Sequence, residues 1–334
     1  MIKGKQSIAF DTSPYIEASA SVVGKKEGEG PLGSMFDMVE QDDMFGENTW
    51  EEAESTMQKE ACLLALGKAH LTAGAVRYLF GGDLLRQGVA TSMGVETLQI
   101  PMFGLYGACS TSGEALALAS MCVAAGYGER MLAVTSSHFG SAEKEFRFPL
   151  GYANQRPLSA HWTVTGSGAF IVGKSRSHVR ITGVTVGKIV DYGLKDSQNM
   201  GACMAPAACD TIIQNLEDFG RKEDEYDRII TGDLGYVGQS ILFDLMRGKE
   251  YDIKVNHMDC GMTIFDQNLQ DTHAGGSGCG CAAATLSAYI LPKIARGEWK
   301  KVLFVPTGAL MSTVSYNEGA SVPGIAHGIV LEHC

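Results

Sequence analysis

The sequence predicts an α/β fold built from two copies of one folding unit. The main observation is an internal repeat. Residues 107–137 and 278–308 each run from a cluster of glycine, alanine and cysteine into a helical pattern and then into an apolar strand. A second repeat relates residues 56–83 to residues 205–233, where a helix, a glycine and a strand ending in Gly-Asp follow one another. Few residues are identical, so the shared order of elements carries the prediction.

The remaining elements follow the same duplication. Each half opens with a strand candidate, at 5–10 and 179–186, and closes with an apolar strand led by a glycine, at 166–173 and 326–332. Each half therefore carries its own set of strands.

The helices of the main repeat end at Gly126 and Gly297, and glycine commonly ends a helix because it adopts the left-handed conformation without strain. Apolar strands resume at 131–134 and 302–305. Alternating helices and short apolar strands predict mainly parallel central strands. Two such halves suggest a five-layer αβαβα sandwich.

We place the N-terminal half at residues 1–176 and the C-terminal half at 177–334. Residues 27–49 are polar, glycine-rich and acidic, and we interpret them as an insertion that forms a loop or a partner surface.

Composition excludes several classes of function. The net charge of −11 argues against nucleic-acid binding, which needs a basic face. The first residues lack the apolar core of a signal peptide, and no run has the length and apolarity of a transmembrane helix. We expect a protein that is not secreted and that contacts membranes only peripherally.

Nine cysteines in a chain of this kind favour free thiols in a reducing compartment. Zinc is the alternative, but the spacings Cys203–Cys209 and Cys279–Cys281 differ from the usual two-residue separation of zinc ligands. We therefore expect no metal site and no cofactor.

Three stretches resemble the thiolase superfamily, which contains thiolases and β-ketoacyl-carrier-protein synthases. A cysteine opens the helix that follows GLYGACSTSGEALALAS (104–120), and HAGGSGCGCAAA (273–284) resembles the glycine- and serine-rich loop of the second half. PGIAHGIVLE (323–332) resembles the closing glycine-rich motif. The resemblance spans nearly the whole chain and implies a thiolase-like sandwich.

A closer resemblance is to a non-condensing branch, the stage V sporulation protein AD family of endospore-forming bacteria. It rests on KGKQSIAF (3–10), FRFPLGYANQRP (146–157), DTHAGGSGCGC (271–281) and SVPGIAHGIVLE (321–332). The resemblance implies a subunit that binds dipicolinate (pyridine-2,6-dicarboxylate), alone or as its calcium chelate. It also implies a sporulation membrane channel that moves dipicolinate into the forespore and releases it at germination.

The same resemblance implies a location on the forespore or spore inner membrane for an otherwise soluble, cytoplasmic protein. The expected partners are integral-membrane subunits of the channel and a second copy of this chain. The apolar stretch 99–107 is suitably placed for a homodimer, because superfamily members commonly dimerise through strands that flank the nucleophile helix.

Cys109 allows three interpretations: an acyltransferase nucleophile, a buried structural cysteine, or the wall of a binding pocket. A nucleophile needs a lowered thiol pKa, an oxyanion hole and a base. In the synthases a histidine follows the strand that here reads RIITGDLG (228–235), where this chain has Gly232 and Asp233. Val322 stands where degradative thiolases carry a second cysteine. We favour the pocket wall and keep acyl transfer through Cys109 as the alternative.

A dicarboxylate needs cationic or N–H donors for its oxygens and flat apolar walls for its ring. Loop 135–161 is the expected rim, with further contacts from the loop before the second helix and from the closing motif. The candidate ligand-binding residues are Cys109, Ser136, His138, Arg147, Arg156, Asp233, His273, Ser277 and His327.

Overall fold

The computed structural model describes residues 1–146 and 155–334. Arg147, one of the candidate ligand residues, lies outside the described residues. The strands of the first half are β1 (Ile2–Lys3), β2 (Ser7–Ala9), β3 (Tyr15–Val23), β4 (Met38–Val39), β5 (Tyr78–Gly82), β6 (Met102–Gly104), β7 (Arg130–Ser137), β8 (Trp162–Thr163) and β9 (Gly166–Gly173). Those of the second half are β10 (Val179–Thr185), β11 (Arg228–Thr231), β12 (His257–Asp259), β13 (Gly276–Ser277), β14 (Lys301–Val305), β15 (Thr307–Ala309), β16 (Gly324–Ala326) and β17 (Gly328–His333).

The helices lie between these strands. They are α1 (Lys25–Gly28), α2 (Trp50–Lys68), α3 (Val89–Val95), α4 (Thr111–Ala124), α5 (Phe139–Phe146), α6 (Met200–Phe219), α7 (Gly235–Arg247), α8 (Cys260–Thr263), α9 (Cys279–Thr285), α10 (Leu291–Ala295) and α11 (Thr313–Asn317). A π-helical turn, Leu286–Ile290, joins α9 to α10. Among the residues that the structure describes, we find no helix with both the length and the apolar character of a membrane span.

The large sheet shows the duplication directly. Its strand order is β12-β11-β14-β17-β10-β3-β9-β7-β5-β6. Reading inwards from the two ends pairs each strand with its counterpart in the other half, and β10 meets β3 at the centre. This symmetry matches the repeats in the sequence.

The expectation of mainly parallel central strands is wrong. The parallel pairs of the large sheet include β5 with β6 and β7, and β11 with β12 and β14. The central strands β9 and β17 run antiparallel to the strands beside them. Two parallel neighbours need a crossover connection, usually a helix packed on the sheet. The helix that follows β7 is α5, and it packs on α2 and β8 instead. The chain therefore returns along β9 antiparallel to β7.

In the described part of the chain, three large apolar cores separate the layers of the fold, and a smaller fourth cluster contains Cys109. One lies between α2 and the first-half strands, one between the second-half strands and α6 and α7, and the largest lies between them. The central core contains α4 and α9, which contact each other and β7. This arrangement places the N-terminal ends of α4 and α9 close together inside the protein.

The helix α4 forms because its sequence, TSGEALALASMCVA, is rich in alanine and leucine, which favour helix. It ends as the sequence predicts, since Ala125 caps the helix and Gly126 follows in the left-handed conformation with φ of 80°. Gly297 has φ of 71° at the corresponding place in the second half.

The segment 27–49 differs from the predicted loop. Its strand β4 pairs in parallel with β3, and the side chains of Glu27, Leu32 and Phe36 are buried. The apolar residues scattered among its acidic ones therefore fix the segment against the N-terminal half.

The two halves are also joined outside the large sheet. The short strand β8 of the first half pairs in parallel with β13 of the second, and the Val164 N–H donates to the Ser277 carbonyl oxygen at 2.8 Å. The loop that leads into α9 is thus bonded to the first half of the chain.

Candidate functional site

Cys109 lies in a tight turn between β6 and α4. The preceding residue, Ala108, has φ of 50°, an uncommon conformation for a residue other than glycine. Gly308 packs against this turn so closely that a Cβ there would lie 2.3 Å from the Gly107 carbonyl oxygen. The turn leaves the Cys109 side chain buried, with 5% of its surface exposed.

A carboxyl group lies against the thiol. Asp233, which follows β11, is fully buried and lies close enough to the Cys109 thiol for each group to shift the pKa of the other. The Gly278 N–H donates to Asp233 Oδ2 at 2.9 Å, and the Thr307 hydroxyl donates to Oδ1 at 2.7 Å. The segments that carry Cys109, Gly278 and Thr307 come from both halves of the chain, and all three thus meet at the carboxyl group of Asp233.

The electrostatics keep the thiol protonated. Burial, and then the charge of Asp233, raise the pKa of Cys109 well above its usual range. Burial likewise raises the pKa of Asp233 to about 7, against the opposing effect of its hydrogen bonds. A protonated thiol beside a carboxyl group is poorly suited to nucleophilic attack, because the thiolate is the reactive form.

We expect Asp233→Asn to make Cys109 more reactive. The amide has the same shape but removes the negative charge and can donate to the thiolate, so the Cys109 pKa should fall. The rate of labelling by methyl methanethiosulfonate at pH 8, followed by mass spectrometry, should rise about three- to fourfold for each pKa unit lost, because a lower pKa also makes the thiolate less nucleophilic. Cys334, at the C-terminus, is the internal control and should react equally in both proteins. Equal labelling of Cys109 in both would contradict this account.

A small recess opens at Cys109. Its volume is about 20 Å³, roughly the room that one water molecule needs. Its lining combines apolar side chains with a few small polar ones: Leu84, Tyr106, Ala108, Cys109, Phe146, Thr163, Met200, Ser277, Ala309 and Met311. A ring-sized ligand therefore extends beyond this recess.

A larger space, which we call the outer cavity, continues from the recess and has a volume of about 380 Å³. The recess and the outer cavity share Leu84, Tyr106, Phe146 and Met311, so the two are contiguous. The outer cavity adds the charged side chains of Arg86 and Glu145 and the residues 312–314.

The sequence prediction missed Arg86. The signal was present, because Arg86 follows the strand β5 by a few residues, and α/β folds place ligand contacts at the carboxyl ends of parallel strands. Tyr106 and Met311 were also missed, although Tyr106 lies only three residues before Cys109. Aromatic and thioether side chains such as these carry no sequence signal that separates a cavity wall from an ordinary surface.

Three of the predicted residues do come together. Cys109 and Ser277 line the same recess, and Asp233 lies behind Cys109. His327 lies between β16 and β17 and packs against Gly113 in the first turn of α4. Its Nδ1 accepts a hydrogen bond from the Gly187 N–H at 3.2 Å. Burial lowers the pKa of His327 to about 4, so its imidazole is neutral near pH 7.

Ser136 and His138 lie in buried networks behind the site. The Ser136 hydroxyl donates to the Glu54 carboxyl group at 2.9 Å. His138 bonds the Asp43 carbonyl oxygen through Nε2 at 2.7 Å, and its Nδ1 accepts the Gly140 N–H. Since its ring nitrogens have these partners, His138 holds segment 27–49 against α5.

Arg156 and His273 do not line the Cys109 recess, and both contact Asp271 instead. Arg156 donates to the Asp271 carbonyl oxygen at 2.9 Å, and its guanidinium lies over the Trp162 ring. His273 bonds the Pro157 carbonyl oxygen at 3.0 Å and the Asp271 carboxylate at 3.1 Å. Within residues 1–146 and 155–334, we find no cluster of three His, Cys, Asp or Glu side chains arranged to hold a metal ion.

Comparison with known proteins identifies relatives of the whole chain. The family profile described as Stage V sporulation protein AD (SpoVAD) matches residues 4–332. Stage V sporulation protein AD of Bacillus subtilis strain 168 is 40% identical over 331 residues, which cover 99% of this chain and 98% of the relative.

Solved structures with the same fold are enzymes at much lower sequence identity. The 3-oxoacyl-[acyl-carrier-protein] synthase III of Aquifex aeolicus VF5 is 14% identical, with a TM-score of 0.57 over 96% of this chain and 100% of that one. A variant of Xanthomonas campestris OleA is 13% identical, with a TM-score of 0.62 over 98% of this chain and 100% of that one. At such identity the likeness shows the fold alone, and it confirms the thiolase-like fold that the sequence predicts.

Proposed function

Because the chain belongs to the stage V sporulation protein AD family, we propose that it is the dipicolinate-binding subunit of a sporulation membrane channel. Membership of this family supports a role in sporulation. The finer proposal is that the protein binds dipicolinate above Cys109. This binding serves dipicolinate uptake into the forespore and its release at germination.

The observation that carries the proposal is the pairing of Cys109 with Asp233. The superfamily resemblance puts a catalytic histidine near this position, but here a carboxyl group lies beside the thiol and, together with burial, raises the thiol pKa. A nucleophile held in its protonated form favours a pocket that contacts a ligand over one that attacks it.

The walls of the site also suit a flat ligand. Leu84, Tyr106, Phe146 and Met311 give the recess and the outer cavity apolar surface that can cover an aromatic ring. Asp233 is protonated below a pH of about 7, where it does not repel a carboxylate. Above that pH its charge opposes a dianion, and a calcium ion on dipicolinate would offset the repulsion.

Isothermal titration calorimetry of the full chain with dipicolinate tests the proposal. We expect saturable heat at millimolar ligand or below, with binding that weakens between pH 6 and pH 8 when calcium is absent. Calcium should reduce that loss. Absence of any binding heat at millimolar dipicolinate, with and without calcium, would overturn the proposal.

The alternative, acyl transfer through Cys109, predicts a different result. An acyl-thioester would then produce a mass gain on Cys109 that disappears in Cys109→Ala. The shared fold of condensing enzymes is the reason to run this test. If neither dipicolinate heat nor an acyl adduct is found, a purely structural subunit is the remaining interpretation.

Partners form part of the same proposal. The edge strand β6 exposes Met102 and Phe103, which supports a homodimer through this edge. Sedimentation that gives only the monomer mass at micromolar concentration would contradict the homodimer. We also propose that the protein docks peripherally on integral-membrane subunits of the channel at the forespore inner membrane. Flotation with forespore membranes, lost when those subunits are deleted, tests this docking.

A further inference from the structure

The outer cavity carries a charged group that the proposed function leaves unused. Arg86 lines this cavity and also two neighbouring cavities of about 510 and 650 Å³. Arg86 is therefore a wall residue shared by all three of these cavities. A guanidinium binds carboxylates through two parallel N–H donors, a geometry that a lysine lacks.

The backbone holds Arg86 at this place. Gln87 and Gly88 follow it with φ of 56° and 61°, so the chain turns sharply between β5 and α3. The Arg86 side chain is 60% exposed and extends to the second half of the protein, where Nη2 donates to the Thr313 hydroxyl at 2.8 Å. It spans the mouth of the cavity from one half to the other.

The Arg86 guanidinium already forms an ion pair with a carboxylate of the protein, that of Glu145. The Glu145 Oε2 lies 3.2 Å from Arg86 Nε, while the next cation, Lys144, pairs with Glu51 on α2. Glu145 is at the end of α5, next to Phe146, which walls the recess. The ion pair of Arg86 and Glu145 thus lies between the apolar wall of the recess and solvent.

We propose that Arg86 binds a carboxylate of a small planar aromatic acid, and that Glu145 is an internal competitor which the ligand carboxylate displaces. The ring then lies against Leu84, Tyr106 and Met311, with its charged group towards solvent and its apolar edge towards Cys109. This orientation turns the ligand carboxylates away from Asp233, which lessens the repulsion expected above about pH 7 without removing it. The inference rests on the proposed function for its ligand class, but it assigns the contact to residues outside the predicted site.

Two variants with opposite expected effects test the proposal by calorimetry. Arg86→Gln should weaken dipicolinate binding about tenfold, since it removes a charge-assisted hydrogen bond at a partly exposed site. Glu145→Gln should tighten binding several-fold, because the ligand no longer competes with a charged side chain. Arg247→Gln removes an exposed arginine on α7 that pairs with Asp244, and it should leave binding unchanged. Thermal unfolding of each variant checks that it is folded.

The ligand series separates this inference from the proposed function. Dipicolinate, isophthalate and pyridine are each titrated into the wild type and the variants. If dipicolinate binds equally to wild type and Arg86→Gln, the inference is overturned and the proposed function stands. If isophthalate binds through Arg86 while dipicolinate does not bind, the inference stands and the proposed function fails. Weaker binding to Glu145→Gln would overturn the role of Glu145, and no binding of either dicarboxylate would overturn both proposals.

Discussion

Replacing Glu27 with glutamine is expected to make the free energy of unfolding fall less steeply as pH rises from 5.5 to 8.5. Glu27 is fully buried on α1, where burial raises the pKa of its carboxyl group to about 8. The nearby Asp43 raises this pKa further, and Lys26 and the Thr165 N–H oppose the shift. A buried carboxyl group of this kind favours the protonated form in the folded state.

The direction follows from proton binding in the two states. Between the ordinary glutamate pKa and about pH 8, the folded state holds the Glu27 proton and the unfolded state has lost it. The free energy of unfolding therefore falls by about 1.4 kcal/mol for each pH unit across this window. Above pH 8 the group is charged in both states, so its contribution no longer changes.

Glutamine at position 27 can still accept the Thr165 N–H, which donates to Glu27 Oε1 at 2.9 Å, but it does not titrate. Between pH 5.5 and 8.5, the variant should therefore gain about 3 kcal/mol relative to wild type. Urea unfolding at a series of pH values measures this difference. Glu29→Gln, an exposed change at the same helix, should leave the pH dependence intact. Parallel curves for wild type and Glu27→Gln would contradict the prediction.

Gly168→Ala should destabilise the protein by about 2–3 kcal/mol, because it overfills a contact between two backbones. Gly168 lies on β9, and a Cβ there would lie 2.6 Å from the carbonyl carbon and oxygen of Ala283 on α9. Neither element can rotate a side chain out of the way. Because α9 begins beside the Cys109 recess, the shift should also weaken ligand binding.

Gly67→Ala is the matched control for this substitution. Gly67 lies on the exposed surface of α2, and a Cβ there meets nothing within 4 Å. Alanine favours helix over glycine by up to about 1 kcal/mol, so this change should raise stability. Thermal or urea unfolding distinguishes the two outcomes. A Gly168→Ala protein as stable as wild type would show that α9 and β9 are not in close contact.

Much of the fold can be predicted from the sequence because the repeat is visible in it. The stops at Gly126 and Gly297 and the strands that follow them are local features, and each depends on a few adjacent residues. Strand direction is not local. The glycine-led strands β9 and β17 have the same pattern whether they run parallel or antiparallel, so their reversal is found only in the structure.

The residues of the candidate site also differ in whether local sequence features or tertiary contacts determine their position. Cys109, Asp233 and Ser277 lie close together in the structure, and each adjoins an element of the repeat that the sequence shows. His138 stands at the end of a strand, where ligand contacts are common, but its partner is the distant backbone of Asp43. Such tertiary hydrogen bonds have no signature in the sequence.

The pairing of β8 with β13 has a consequence for how quickly a ligand can come and go. Backbone hydrogen bonds join the two halves directly beside the recess, where Thr163 pairs with Ser277. These hydrogen bonds oppose a movement that would separate the two halves at the recess. Entry and exit depend on rotation of half-buried side chains such as Phe146 and Met311, and side-chain motion is much faster than hinge motion between domains. We expect exchange of small molecules to be set by diffusion and affinity, with no slow closing step.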